Sequence, residues 1–343
     1  MAPVTPGLSA APRRERPTVV LSMWPDILPD VFPAPLLEEL SRHADVLSTR
    51  AVSELDADGL AQLERADVLI TSWGGVTIDA ETLRHAPRLK AIIHAAGSVK
   101  GHLTPDVWDA GVLVSSAVEI GAIPVIEYTR AMVFLASHRV ISLAGSYRSG
   151  TFVPVGGRQG KVGLRVGVVG ASRIGAAVIR SLVAEGWTVS AYDPVVGDER
   201  LRELGATPLP LDELCRSSDI LTLHAPSIPE TDRMIDARRL AMLPDGATVI
   251  NSARGSLIDH DALEAECASG RIDAILDVTE PEPLPAGSGL LQLSNVFVSP
   301  HAAGIQGSER ALLGAFAIEE LRRYLDGEPL LGLVRQEVLG TIA

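Results

Sequence analysis

Cysteine is almost missing from this chain. Only Cys215 and Cys267 occur among 343 residues, and neither stands in a C-x-x-C or other metal-ligand spacing. The sequence therefore carries no sign of a disulfide scaffold or a metal site, and two reduced thiols in a cytoplasmic protein are expected. Long apolar runs are also missing. Gly, Pro or charge interrupts each one well short of the ~20 residues a membrane span needs, so no membrane partner is expected. Positive charge is in deficit, with 30 Lys and Arg against 43 Asp and Glu and a net charge of −13. That balance argues against nucleic acid as a partner, while leaving room for a local basic site that takes a small anion. Aromatic residues are 4% of the chain, too few to mark a stacking cage. Residues 1–17, MAPVTPGLSAAPRRERP, have no apolar stretch and read as a flexible tail rather than a signal peptide.

What is present is a chain rich enough in hydrophobic residues, 46%, for a sizeable core, and long enough for about two domains. Strand-like runs alternate with helix-like runs. The first set is PTVVLSM (17–23), DVLSTR (45–50), DVLITSW (67–73), LKAIIHAA (89–96) and GVLVSS (111–116), with helical patterns such as 34–44 and 80–86 between them. A second set follows the Gly-rich stretch 154–163: LRVGVVG (164–170), TVSAYDP (188–194), DILTLHA (219–225), ATVINSA (247–253), DAILDVT (273–279) and VFVSP (296–300). Continuous apolar strands separated by helices predict parallel sheets covered on both faces. Two long helical patterns, 123–145 and 308–328, flank the second set and suit a crossing between domains. The expectation is an α/β chain with two doubly wound parallel-sheet domains, one formed by 18–118 plus 306–343 and the other, 119–305, inserted into it.

The stretch VGVVGASRIG (166–175) has the strand–turn–helix context of a dinucleotide-binding G-x-G-x-x-G fingerprint, with Ser172 in place of the middle glycine. Gly170 permits the tight turn, and Gly175 lets the helix pack close to the sheet. Ser172 can donate to a phosphate oxygen, Arg173 adds charge, and the helix N-terminus offers N–H groups and a positive dipole end. Asp193, eighteen residues beyond Gly175, is placed to bond ribose hydroxyls and to repel a 2′-phosphate, so NAD is expected over NADP.

Three later strand ends carry an Arg, a carboxylate and a His: NSARGSLID (251–259), LDVTEPEPLP (276–285) and VSPHAAG (298–304). Hydride transfer to a 2-oxo acid needs a cation for the substrate carboxylate, which the planar fork of Arg254 offers. It needs a proton donor for the developing alkoxide, and His301 is suited near neutral pH. A carboxylate beside that His would favour imidazolium and fix the ring; Glu280 and Glu282 are both candidates.

The strings VGVVGASRIG, AYDP, LHAPSIPET, INSARGSLID, ILDVTEPEPLP and VSPHAAG together resemble the D-isomer-specific 2-hydroxyacid dehydrogenase family along nearly the whole chain. The resemblance implies two Rossmann-like domains with a cleft between them, a homodimer, and NAD-dependent oxidation or reduction of a small 2-hydroxy or 2-oxo acid. It implies a catalytic set of Arg254, Glu282 (five residues after Asp277, which selects it over Glu280) and His301. It also implies that Asp277 holds the nicotinamide carboxamide. The cofactor set then comprises Gly170, Ser172, Arg173, Ile174, Gly175, Asp193, Ala225, Pro226, Ser252, Ala253 and Asp277. Two departures stand out. One is Ser172. The other is the loop HAAGSVKGHL (94–103), where much of the family has Gly-x-Gly-x-Asp-Asn. Backbone N–H groups of Ser98, Val99, Lys100 and Gly101 are the expected cradle for the substrate carboxylate, with His94 and His102 read as surface groups. A Lys-Gly in this loop resembles phosphite-oxidising members, so phosphite oxidation is one alternative. A non-catalytic NAD-sensing protein on the same fold is another, whereas formate members pair Gln with His.

Overall fold

The computed structural model describes residues 16–152 and 160–338. Most of the expected tail, part of the Gly-rich stretch and the last five residues lie outside them. In chain order the elements begin with β1 Thr18–Ser22, α1 Leu28–Val31, α2 Ala34–His43, β2 Asp45–Val46, α3 Ala57–Leu63, β3 Val68–Thr71, α4 Ala80–Arg84, β4 Ala91–His94, α5 Asp106–Asp109 and β5 Leu113–Ser116. They continue with α6 Val118–Ser137, α7 Val140–Arg148, β6 Arg165–Val169, α8 Arg173–Ala184, β7 Thr188–Tyr192, α9 Asp198–Glu203, β8 Thr207–Pro208, α10 Leu211–Ser217 and β9 Ile220–Leu223. Then come α11 Ala237–Leu240, β10 Thr248–Asn251, α12 His260–Ala268, β11 Asp273–Leu276, β12 Val296–Val298 and α13 Arg310–Asp326. The chain divides into two units. Among the described residues, the first combines those up to Ile120 with those from Gly307, and the second lies within Gly121–Gln306.

Each unit is built on one parallel sheet. The first has five strands in the order β2-β1-β3-β4-β5, and the second has seven in the order β12-β11-β10-β9-β6-β7-β8. Strands β3, β4, β9, β10 and β11 are buried at every position, as expected for sheets covered on both faces. In the second unit, residues alternate between two cores. Val166 and Val168 of β6 join Ile179 and Leu182 of α8 on one side. Val169 joins Leu221, Leu223 and Val249 on the other. That is the two-residue period of a strand, with each face claimed by a different helix layer. Strand order reverses between β6 and β9, the position where doubly wound sheets open a crevice at their carboxyl ends.

Three elements differ from the sequence reading. The pattern 123–145 is two helices, because Arg139 sits at φ +50°. Its guanidinium forks onto the buried Asp273 at 3.2 Å through both Nε and Nη2, and Ser142 Oγ donates to the same carboxylate at 3.0 Å, which holds the break. Strand β8 has only two residues and so left no periodic signal. Helix α6 is 20 residues long and, by length and apolarity alone, long enough to cross a membrane, contrary to the expectation that no segment is. Part of it packs within the chain: Val133 and Ala136 lie in the core of the second unit, and Arg130 pairs with Glu185, with 28% of the helix's apolar stretch buried. Cys215 and Cys267 are buried and unpaired, and burial pushes their thiols up to about 11 and about 12.

Candidate active site

Gly170 closes β6 at φ +88°, a left-handed conformation, and a Cβ there would come within 2.6 Å of the Ala225 amide nitrogen. A side chain would therefore wedge β6 from β9 at the sheet's switch point. Gly175 stacks against the Gly170 carbonyl with equally little space. Ser172, by contrast, has φ −71°, which any residue adopts. The fingerprint's middle glycine is therefore not needed here for backbone shape. Ser172 is the N-cap of α8, yet its side chain makes no capping bond, so the hydroxyl is not committed to the helix. Exposed Ser172 and Arg173 and half-buried Ile174 lead into the first turn of α8, whose N–H groups need an acceptor from outside the helix. These residues fit a pyrophosphate. Asp193, after β7, accepts from Ala171 N at 2.7 Å, Val195 N at 2.8 Å and Val196 N at 3.0 Å. It thus braces the glycine turn, and its lone-pair capacity exceeds these three bonds.

Ala225 and Pro226 follow β9, preceded by His224. That imidazole is buried, and burial holds it down to about 4, so it is a neutral core group with Thr222 Oγ1 at 3.0 Å from Nε2.

Arg254 stands on the turn after β10. Asn251, at the strand end, folds the turn back: its Nδ2 donates to the Arg254 carbonyl at 2.8 Å and its Oδ1 accepts from Ala253 N at 3.1 Å. Gly255 lies against the Thr279 carbonyl so closely that a Cβ would overlap it, locking the Arg254 turn to the segment leading to Glu282. The Arg254 side chain reaches solvent, and its Nη1 donates to the Ala253 carbonyl at 2.6 Å. Its surroundings remove part of its hydration, which lowers its pKa, and the nearby Glu282 charge opposes this. An arginine remains cationic under either influence.

The third strand end is organised by Asp277. Its carboxylate is buried and accepts from Ser299 Oγ at 2.6 Å, Ala302 N at 2.7 Å and Ala303 N at 2.9 Å. Its carbonyl takes the His301 N–H at 2.9 Å. These bonds wrap the turn around His301, whose φ of +53° is a left-handed conformation costly for a non-glycine residue. His301 Nδ1 lies 2.8 Å from Glu282 Oε1, with both side chains about half exposed. Glu280 is not at this pair: its amide meets His260 Nε2 at 3.4 Å. Arg254, Glu282, His301, Asp277, Ser252, Ala253, Ala225, Pro226, Asp193 and the glycine turn all belong to the second unit.

The loop Ser98–Gly101 belongs to the first unit and follows β4. Ser98 Oγ accepts from Lys100 N at 3.2 Å, the Val99 side chain is buried, and Gly101 has φ +88°. Among the described residues the Lys100 side chain is exposed with no hydrogen-bond or ion-pair partner recorded. The reading of His94 as a surface group is wrong. It is 2% exposed, and burial, with His102 nearby, holds it down to about 3. Its Nδ1 lies 2.8 Å from Thr71 Oγ1. The run LKAIIHAA simply continues the apolar strand through the imidazole. Sequence reasoning also missed Tyr128, Thr129 and Ser299, which touch these loops. Nothing local in the sequence marks them, because their partners lie more than a hundred residues away along the chain.

Residues 131–303 match the family model for the D-isomer specific 2-hydroxyacid dehydrogenase NAD-binding domain. The chain is 35% identical over 288 residues to D-3-phosphoglycerate dehydrogenase of Mycobacterium bovis, covering 83% of this chain and 54% of the relative. It is 31% identical over 268 residues to glyoxylate reductase of Korarchaeum cryptofilum, covering 76% of this chain and 81% of the relative. Among solved structures it is similar to a phosphoglycerate oxidoreductase from Rhizobium etli, with TM-score 0.76, 25% identity, and coverage of 93% of this chain and 98% of that one. The chain thus belongs to the D-isomer specific 2-hydroxyacid dehydrogenase family and carries its NAD-binding domain. It spans about half the length of the phosphoglycerate dehydrogenases it matches.

Proposed function

We propose that this protein is an NAD-dependent dehydrogenase interconverting a small 2-hydroxy acid and its 2-oxo acid. The observation that carries this reading is the His301–Glu282 pair, 2.8 Å apart at the end of β12. A protein that merely sensed the cofactor would have no use for a proton-transfer pair beside an Arg. Bound NAD(H) supplies the hydride acceptor or donor. The second unit holds it: Gly170, Ser172, Arg173, Ile174 and Gly175 at the pyrophosphate, Asp193 at the ribose, Ala225, Pro226, Ser252 and Ala253 along its length. Asp277, with three of about four lone-pair sites in use, keeps one for the carboxamide. Arg254 takes the substrate carboxylate as a bidentate partner. His301 gives a proton to the C2 oxygen in reduction and removes it in oxidation, and Glu282 on Nδ1 leaves Nε2 for that exchange. The loop Ser98–Gly101, within the first unit, offers backbone N–H groups of the kind that hold a carboxylate.

A homodimer suits the surface of α6 and α7, where Ile123, Phe134 and Tyr147 are 51%, 54% and 74% exposed. Light scattering tests it; a monomer at micromolar concentration would refute it. The function is tested by an NADH-oxidation screen over 2-oxo acids, with phosphite plus NAD as counter-screen. Turnover of at least one 2-oxo acid is expected. Turnover of phosphite alone would reassign Lys100 to substrate charge, and no turnover with NADH bound would return the protein to a sensor.

A further inference from the structure

Helix α6 reaches both loops that present the proposed acid–base and anchoring groups, and it does so with consecutive residues. Tyr128 Oη lies 2.7 Å from Ser299 Oγ, two residues before His301. Thr129 Oγ1 lies 3.1 Å from Ser252 Oγ, two residues before Arg254.

The protons in these contacts have a forced direction. The Asp277 carboxylate can only accept, so the Ser299 hydroxyl spends its one hydrogen on Oδ1. Ser299 must then accept from Tyr128, and burial raises the phenol's pKa, keeping it a donor. On the neighbouring residue, Thr129 donates to the Val125 carbonyl at 2.8 Å, so Ser252 must donate to Thr129. The helix therefore gives a hydrogen bond to the His301 turn and takes one from the Arg254 turn.

The His301 turn needs such bracing. Its left-handed residue persists only where the surroundings over-determine it, and Asp277 makes several bonds of that bracing, beside those of the Leu276 and Ser299 carbonyls. Tyr128 is the outermost link, fixing Ser299 and through it the carboxylate rotamer. We propose that Tyr128 and Thr129 are positioning residues, the first setting His301 and the second Arg254. This rests on the functional reading above for what the two side chains do, but not for whether the loops are held.

The test uses the full chain with Tyr128→Phe, Thr129→Val and, as a control on the same helix, Arg130→Gln, which removes only the pairing with Glu185. Amide hydrogen exchange in the absence of ligand comes first. Tyr128→Phe should speed exchange across 299–304 and Thr129→Val across 251–255, each roughly five- to tenfold, the worth of one hydrogen bond, with the rest of the chain unchanged. In turnover the two should split. Tyr128→Phe should lower kcat about tenfold with KM little changed, and Thr129→Val should raise the KM for the oxo acid by a similar factor, both with NADH affinity within twofold. Adding Ser299→Ala to Tyr128→Phe should cost nothing more than Ser299→Ala alone. Exchange matching the Arg130→Gln control, or a loss in kcat and KM that follows global stability, would overturn the proposal. If the unaltered chain reduces no 2-oxo acid, the functional reading fails, and the exchange data still decide whether α6 positions the loops.

Discussion

His301 Nδ1 and Glu282 Oε1 lie 2.8 Å apart, and the residue that carries the imidazole has a left-handed backbone at φ +53°. The two facts belong together. An extended residue after β12 would send its side chain out toward one face of the sheet. The left-handed turn, pinned by Asp277, redirects it toward the segment after β11. Glu282 then fixes which nitrogen faces outward, since Nδ1 is taken. The pair is about half exposed, so its mutual attraction is screened and contributes little to stability. Its value is orientation and charge for proton transfer.

Removing the carboxylate should therefore change turnover more than the fold. In Glu282→Gln the carboxylate that holds the ring through Nδ1 is gone while the side-chain shape remains. With the ring less firmly oriented for proton exchange at Nε2, kcat should fall, with NADH affinity unchanged. His301→Ala should cost on the order of 10²-fold or more in kcat. Glu280→Gln, away from the pair, should do neither. A loss of kcat produced by Glu280→Gln and not by Glu282→Gln would refute the pairing. Thermal melts of all three should stay within a few degrees.

Much of this arrangement was legible in the sequence, because the loops that matter follow apolar strands, and strand ends are where a doubly wound sheet presents its chemistry. Arg254, Glu282 and His301 each sit one short turn after such a run. What was not legible is contact at a distance. Nothing local to Arg139 marks a helix break, since its cause is the carboxylate of Asp273, 134 residues on. His94 looked polar and therefore superficial, yet its strand is buried on both faces and the imidazole goes with it. Tyr128 and Thr129 face loops more than a hundred residues later, which no window on the helix could reveal.

The cofactor preference rests on Asp193. Its carboxylate would face a 2′-phosphate, so NAD should be used with higher kcat/KM than NADP, and Asp193→Ala should narrow the gap. Because Asp193 also braces the Ala171 amide at 2.7 Å, the same variant should lose roughly 1 kcal/mol of stability. Equal efficiency with both cofactors in the unaltered protein would refute the assignment. Ser172→Gly should leave NADH affinity within roughly tenfold, about 1.4 kcal/mol, since Ser172 has a negative φ that does not call for glycine. Calorimetric titration reads both.

Gly255 should tolerate no side chain. In Gly255→Ala the new methyl would overlap the Thr279 carbonyl, a backbone group that cannot swing aside. The turn carrying Arg254 must then move from the segment carrying Glu282. The variant should lose about 1–3 kcal/mol by urea unfolding, the usual cost of overpacking. It should also raise the KM for the oxo acid several-fold. Unchanged KM together with unchanged stability would show that the two loops need not be held together.

Acid should weaken both units through buried imidazoles. His94 is held down to about 3 and His224 to about 4, chiefly by burial, against about 6.5 in an unfolded chain. Each ring is neutral when folded, and below pH ~6.5 the unfolded chain binds a proton that the folded one refuses. Their contribution is therefore complete above about 6.5 and declines as pH falls, with slope about 1.4 kcal/mol per pH unit per ring, until the folded values are reached. Urea unfolding at pH 7, 6 and 5 isolates this window from most carboxylate titration. Stability should drop by roughly 2 kcal/mol per ring between pH 7 and pH 5. His94→Gln and His224→Gln should lower stability at pH 7 yet each flatten the pH dependence by about that amount. His94 belongs to the first unit and His224 to the second, so if the units unfold separately each variant should flatten one transition only. A pH dependence unaltered by either substitution would mean that the rings take up protons without unfolding, which their burial argues against.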